Sequence, residues 1–138
     1  MRWCLRFLGM VGLLFLCGCA LLDSSQTDLQ SSADDFCQRL RWADYQGAQR
    51  HVAARRQETF QTAVVAPGQD LKMVEVHFEK EGPAGREGRR PMTLVMEYYR
   101  LPSTEIRTAR IDLEWIYLDY GWTRPGIWLI DSDFRPLP

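Results

Sequence analysis

The stretch 109-ARIDLEWIYL-118 decides the fold, because apolar and polar residues alternate along most of its length. The odd-numbered positions are all apolar, whereas positions 110, 112 and 114 are charged. A period of two places these two sets on opposite faces of a β-strand. The stretch therefore predicts a long strand with one face in a core and the other in solvent, as in an antiparallel sheet.

Segments on both sides of this strand show the same period. On its N-terminal side, one strand is predicted by Val74, Val76 and Phe78. The next is predicted by Met92, Leu94, Met96 and Tyr98, with Val95 and Tyr99 on its other face. Residues 81–91 are rich in Gly, Arg and Pro and predict an exposed hairpin loop, and residues 127–130 predict a final strand. The sequence thus predicts about four antiparallel strands.

The first third of the folded part has a helical period instead. Apolar residues follow an i, i+3, i+4, i+7 pattern at Ala33, Phe36, Cys37 and Leu40. The pattern slips at residues 43–45, which predicts a kink or two short helices joined near Trp42. A further helix, with Phe60, Ala63 and Val64 on its apolar side, ends at Pro67-Gly68. The predicted fold class is α+β, with N-terminal helices packed on one face of a curved antiparallel sheet.

The N-terminus has the three parts of a signal peptide. Two arginines precede an apolar run over residues 7–16, and small residues then lead to a cysteine. The segment Leu16-Cys17-Gly18-Cys19 resembles the lipobox of bacterial lipoproteins, in which the cysteine receives diacylglycerol. We expect a signal peptide at 1–18, a lipidated N-terminus and flexible tether at 19–32, and a domain at 33–138. Ordinary cleavage with a free Cys19, or a short uncleaved anchor, are the alternatives.

The resemblance to lipoproteins also implies a location. Acyl chains at Cys19 would hold the protein on a membrane, and the tethered domain would lie outside it. In Gram-negative lipoproteins a residue other than Asp after the lipidated cysteine favours the outer membrane, and Ala20 occupies that position. We therefore expect a lipid-anchored protein on the outer membrane, facing the periplasm. Once the leader and Cys19 are accounted for, Cys37 remains, and its helical pattern predicts a buried apolar thiol.

Element order and both ends of the domain resemble the NTF2-like superfamily, also called cystatin-like or SnoaL-like. The resemblance covers about residues 33–134. It rests on Leu40 followed by Asp44-Tyr45 and Ala48, on the spacing from Arg56 to Phe60, and on the terminal segment Trp128-Leu129-Ile130-Asp131-Ser132-Asp133. It implies a cone of curved sheet wrapped around N-terminal helices. In enzymes of this superfamily, an Asp or His base acts inside the cone.

Inside such a cone, the candidate site residues are those that could line a cavity or act as a base. Four aromatic residues could line a cavity, although aromatic residues at strand spacing are more often core: Tyr98, Tyr99, Trp115 and Tyr117. Glu97 is the least clear of the acids, because both faces of its strand carry apolar residues. His51 and His77 stand alone in the sequence, so no metal site is predicted, and no cofactor motif is present.

Composition narrows the class of partner. Without Arg2 and Arg6 the chain carries 15 basic and 18 acidic residues, an excess of acid that disfavours nucleic acid. Two functions remain, besides an inert structural role in the cell envelope. One is a non-enzymatic domain that binds an envelope protein, a second copy of itself or a small apolar ligand. The other is a cavity enzyme of the ketosteroid isomerase or dehydratase type. An acid deep in an open pocket would favour the enzyme, and a filled interior would favour the binding domain.

Overall fold

A computed structural model describes residues 24–79 and 88–137, and it has the predicted α+β class. The signal peptide, Cys19 and most of the 81–91 loop lie outside the described residues. Helices α1 (Ser24–Arg41), α2 (Tyr45–Gln49) and α3 (Gln57–Phe60) come first, and α3 continues as a π-helical turn over Gln61–Val65. Strands β1 (Leu71–Phe78), β2 (Arg90–Arg100), β3 (Arg107–Leu118) and β4 (Ile127–Ile130) follow. Among the described helices, none is long and apolar enough to cross a membrane.

The four strands form a curved antiparallel sheet in the order β1-β2-β3-β4. On β3 the predicted alternation is confirmed as far as Trp115, because Ala109, Ile111, Leu113 and Trp115 are buried and the charged positions between them are exposed. Tyr117, the last residue of the predicted apolar face, is exposed instead. The core lies between this face and the helices. Its centre is Phe36 on α1, whose ring lies 6.2 to 6.4 Å from four other aromatic rings, those of Phe60, Phe78, Trp115 and Phe134.

Helix α1 begins earlier than the sequence pattern indicated. We expected a flexible tether up to Ser32, but residues from Ser24 onward are helical. Leu29 is buried in the core one turn before Ala33, whereas Asp28 and Gln30 beside it are exposed. The expectation was wrong because the polar composition hid this i, i+4 pair, which extends the apolar side of the helix toward the N-terminus.

The first strand differs from its predicted alternation at one residue. The alternation places Val74 on the core face, yet Val74 is 37% exposed. The pairing of β1 with β2 shifts between Met73 and Glu75, so Val74 is the extra residue of a β-bulge. A bulge inverts the alternation beyond it, which places Met73 and Val76 toward the core and Val74 outward.

Candidate functional site

The edge of β3 that faces β4 is covered over only part of its length. Strand β4 pairs with β3 from Trp115 to Leu118. One residue further on, the Asp131 N–H donates to the Glu114 carbonyl at 2.8 Å, and the Glu114 N–H donates to Ser132 Oγ at 2.6 Å. Among the described residues, nothing pairs with β3 on this side between Arg107 and Leu113.

The backbone groups exposed along this edge follow from the geometry of a strand. Because the Glu114 N–H and carbonyl both point toward β4, alternation turns the same groups of Asp112, Arg110 and Thr108 to that side. The groups of Ala109 and Ile111 point the other way, toward β2, with which these residues are paired. Three residues therefore present donors and acceptors to an open edge.

The C-terminal tail leaves the sheet at this point instead of continuing beside β3. Phe134 is buried, and its ring lies 5.1 Å from that of Phe60 on α3. The Phe134 N–H donates to Thr59 Oγ1 at 3.3 Å. Between the tail and the strand lies a groove of about 580 Å³, lined by residues 108–112 of β3 and by Ser132, Asp133 and residues 135–137 of the tail. We call this the β3 groove.

A buried carboxylate fixes the point where the tail departs. Asp131 follows β4 directly, and its side chain is 1% exposed. Arg55 donates to both of its oxygens, from Nε to Oδ1 at 2.6 Å and from Nη2 to Oδ2. Arg56 Nε lies 3.4 Å from Oδ1, and Arg89 Nη1 lies 3.6 Å from Oδ2. The hydrogen bonds from Arg55 hold the pKa of Asp131 below its ordinary value against the opposing effect of burial.

The other edge of β4, which faces away from β3, positions Arg55 and Arg56. The Ile130 N–H donates to the His51 carbonyl at 2.7 Å, and the Ala53 N–H donates to the Ile130 carbonyl at 2.9 Å. This short parallel contact puts the following 3₁₀ turn, Ala54–Arg56, beside the end of β4. Arg56 also binds Asp133 at 2.6 Å. The cluster thus ties the start of the tail to the helical layer and away from β3.

Side chains along the open part of β3 carry both signs of charge. Arg110 Nη1 lies 2.7 Å from Glu79 Oε1, and Asp112 accepts a hydrogen bond from Thr93 Oγ1 at 2.8 Å. On the tail side, Arg135 is exposed beside the groove. The groove therefore offers open backbone N–H and carbonyl groups from β3 and side chains of both charges. Such a lining suits an extended peptide better than an apolar ligand.

The four aromatic residues named as possible cavity lining do not share a cavity. Tyr98 and Trp115 are fully buried in the core. Tyr99 is half-buried on the opposite face of β2, and Tyr117 is partly exposed with its ring 5.2 Å from that of Trp128. Helix α1 fills the space that an open cone would leave, since Phe36 packs edge-on against Trp115. None of the four lines the β3 groove.

The candidate acid and the two histidines have different surroundings. Glu97 lies on the outer face of β2, beside Glu75 of β1 in the pairing. His77 is near Glu75 at 3.5 Å. His51 has a partner that the sequence did not reveal, since Nε2 lies 2.6 Å from Asp35 Oδ2. Within the described ranges, no group of three His, Cys, Asp or Glu side chains is placed to hold a metal ion.

The His51–Asp35 pair belongs to a chain of polar contacts along α1. Arg39 Nε donates to the same Asp35 oxygen at 2.7 Å, and its Nη1 donates to Asp44 at 2.7 Å. The hydrogen bond from Arg39 is the largest cause that lowers the pKa of Asp35. Each polar group here is engaged with a neighbour, and the pair joins α1 to the segment after α2. Its geometry is that of a link between elements.

Cys37 is buried as predicted, on the side of α1 that packs against β1. Burial raises the pKa of its thiol to about 12, so the nucleophilic thiolate is scarce at neutral pH. This environment is that of a core thiol.

In comparisons with known proteins, neither a family model nor a curated protein matches the chain. The resemblances to lipoproteins and to the NTF2-like superfamily therefore stay predictions.

Proposed function

We propose that this protein is a lipid-anchored binding protein of the bacterial cell envelope, and that its β3 groove holds an extended segment of a protein partner. The anchor is diacylglycerol on Cys19, and the expected site is the periplasmic side of the outer membrane. The observation that carries the binding role is the open edge of β3, where the backbone groups of Thr108, Arg110 and Asp112 face a groove of about 580 Å³.

Strand addition explains why this site suits a peptide. An extended segment laid along β3 would pair with the exposed donors and acceptors, and those main-chain bonds would supply affinity. Three facing residues, Thr108 to Asp112, correspond to a run of about 17 Å of strand. Side chains of the segment would meet Arg110 and Asp112 on one wall and Arg135 on the other.

The buried groups argue for a binding domain over a cavity enzyme. A base for isomerase or dehydratase chemistry must be ionisable and must face a substrate cavity. The buried acid among the described residues, Asp131, is engaged by Arg55 on both oxygens. Glu97 lies on the outer face of the sheet, and the interior positions on β2 and β3 are occupied by packed apolar side chains.

The groove is tested by removing one backbone donor. Arg110→Pro deletes an N–H that points to the open edge, and proline is tolerated at such edge positions because the ladder to β2 does not use that N–H. Arg110→Ala removes the same side chain and keeps the N–H. A photocrosslinking residue at Arg135 reports on the groove in intact cells, and one at Ser103, in the exposed β2–β3 loop, serves as the off-site control.

We expect a crosslinked product from position 135 and none from position 103. The product should persist in Arg110→Ala and disappear in Arg110→Pro, with both variants showing the same circular dichroism. A product that survives in Arg110→Pro would refute strand addition. A product of twice the chain mass would identify the partner as a second copy.

The anchor is tested separately by radioactive palmitate. The wild-type chain should incorporate the label, and a Cys19→Ser variant should not. Equal incorporation in both would refute lipidation at Cys19.

A further inference from the structure

The loop between β3 and β4 exposes a group of large apolar side chains. Trp122 is fully exposed, and Tyr120, Ile127 and Tyr117 are each about two-fifths exposed or more. They lie within the eleven residues from 117 to 127, at one end of the sheet. We call this group the aromatic tip. Scattered exposed apolar residues are ordinary on a protein surface, but four of them in one hairpin make this loop the candidate for a contact surface.

One member of the aromatic tip, Ile127, lies across a groove from the N-terminal half of α1. A groove of about 370 Å³ is lined by Asp28, Ser31 and Ser32 on the helix and by residues 125–129 of the loop and β4. Helix α1 starts at Ser24, one turn before Asp28. The β4 side of the aromatic tip therefore faces the first turns of α1.

The chain length between the helix and the proposed lipid limits how far the domain can move from the membrane. Cys19 precedes Ser24 by five residues, which span at most about 18 Å when fully extended. A helix that begins so close to an acylated cysteine would hold its own N-terminal end, and the loop beside it, near the bilayer surface.

The side chains of the aromatic tip suit that surface. Trp and Tyr are enriched at the level of lipid headgroups, where a ring with one polar atom is stable between water and hydrocarbon. The charges beside the tip balance, since Arg124 and Asp119 are both exposed in the loop, and Arg50 and Asp28 both line the adjoining groove. The aromatic rings, and not a net positive charge, are therefore the groups that would hold the tip at the surface.

We propose that the aromatic tip, with Trp122 at its most exposed point, docks on the phospholipid surface as a second membrane contact beside the lipid anchor. This inference rests on the proposed anchoring at Cys19. Such a contact would orient the domain, because one flexible attachment leaves rotation free and a second attachment removes it. The β3 groove would then have a fixed direction relative to the membrane.

The experiment uses the full lipoprotein, purified from membranes and reconstituted into vesicles of phosphatidylethanolamine and phosphatidylglycerol. Vesicles made with or without brominated acyl chains are compared, since bromine quenches tryptophan emission at close range. Trp122→Phe removes the reporter and keeps an apolar ring. Trp42→Phe is the matched control, because Trp42 is also exposed but lies just past the other end of α1, about 21 Å along the helix from Asp28.

We expect brominated lipid to quench a fraction of the wild-type emission, and a fraction at least as large in the Trp42→Phe variant, which loses a tryptophan that stays unquenched. In Trp122→Phe the quenched fraction should fall by about half or more, because the tryptophan at the bilayer surface is gone. A quenched fraction that is undiminished in Trp122→Phe would overturn the docking of the aromatic tip, as would quenching lost in Trp42→Phe alone.

Palmitate labelling of the same samples separates the two proposals. If the protein incorporates the label but its quenching does not depend on Trp122, the membrane contact is refuted and the anchor is not. Absence of label refutes the anchor, and the inference that rests on it fails with it. A crosslink from position 122 to a protein in intact cells, without quenching by brominated lipid, would show that a protein covers the tip and would also overturn the proposal.

Discussion

Ala43 ends α1 in a conformation that ordinarily belongs to glycine. Its φ is 57°, in the left-handed region. The Ala43 N–H donates to the Leu40 carbonyl and the Asp44 N–H to the Arg39 carbonyl, which is the bonding pattern of a Schellman cap. Asp44 then begins α2 by accepting a hydrogen bond from the Gly47 N–H at 3.0 Å. Two residues thus end one helix and start the next.

Ala43→Gly should therefore stabilise the protein. An L-residue in the left-handed region carries strain that glycine lacks, so we expect the free energy of unfolding in urea to rise by about 1 kcal/mol. The matched control is Ala66→Gly, at an exposed alanine with a φ of −57°, where glycine should lower the free energy of unfolding by a similar amount. A loss of stability at both positions would contradict the strain at Ala43.

Asp131 makes the stability of the protein depend on acid. Its pKa is lowered in the folded state, chiefly by the hydrogen bonds from Arg55, so just below pH 4 the unfolded chain binds a proton that the folded chain does not. The contribution of this carboxylate to stability is complete above its unfolded pKa and is lost as the pH falls through the folded one. The pKa values of Asp35 and Asp44 are also lowered in the folded state.

Asp131→Asn should lower the free energy of unfolding by about 2 kcal/mol at pH 7, because it removes a charged acceptor from Arg55 and Arg56. The difference from wild type should shrink as the pH falls below about 4, where the unfolded chain takes up a proton on Asp131, and should be lost once the pH passes the lowered pKa of the folded state. Asp133→Asn, at an exposed partner of Arg56, should cost less than about 1 kcal/mol. A difference for Asp131→Asn that stays constant from pH 7 to pH 3 would argue against this carboxylate as the titrating group.

At the scale of the element, β3 is the strand that the sequence predicts best, and its two edges differ. One edge pairs with β2 from Arg107 to Trp115, whereas the other is paired only near its C-terminal end. Amide hydrogen exchange should report this difference residue by residue. The amides of Ala109 and Ile111 should exchange slowly, and those of Arg110 and Asp112 between them should exchange fast. Slow exchange at all four amides in the free protein would mean that something already covers the open edge.

Sequence periodicity predicted the strands because burial on one face repeats every second residue, and it could do so without knowledge of tertiary contacts. It did not predict the bulge at Val74, since a bulge depends on the partner strand and leaves the apolar pattern of β1 unchanged. It also missed the first turns of α1, where Leu29 is buried between the exposed residues Asp28 and Gln30.

The candidate site was only partly visible in the sequence. Asp131 was part of the terminal segment that marked the end of the sheet, but its partner Arg55 lies 76 residues away and no local pattern joins them. A clue to the groove was available in the lengths of the last two strands. Twelve residues of β3 cannot be covered by four residues of β4, so an open edge follows unless another segment covers it. The sequence shows four aromatic residues at strand spacing, but that spacing alone does not distinguish a core residue from one that lines a cavity.

At the scale of the whole molecule, the proposed lipid and the buried thiol can be tested together. After removal of residues 1–18 the chain contains two cysteines, Cys19 and Cys37. A cysteine in thioether linkage to diacylglycerol does not react with Ellman's reagent, and Cys37 is buried with a pKa raised to about 12. The mature native protein should therefore react slowly at pH 8, and one thiol per chain should appear when guanidinium unfolds it.

The alternatives give different thiol counts. Ordinary cleavage with a free Cys19 would give one fast thiol in the native protein and two after unfolding. A Cys37→Ser variant should have no reactive thiol in either state if Cys19 is lipidated, and one in both states if it is not. A third outcome would be one fast thiol in the native wild type that disappears in Cys37→Ser. This result would contradict the burial of Cys37. It would also contradict the packing of α1 against β1, because the thiol is hidden only while those two elements stay together.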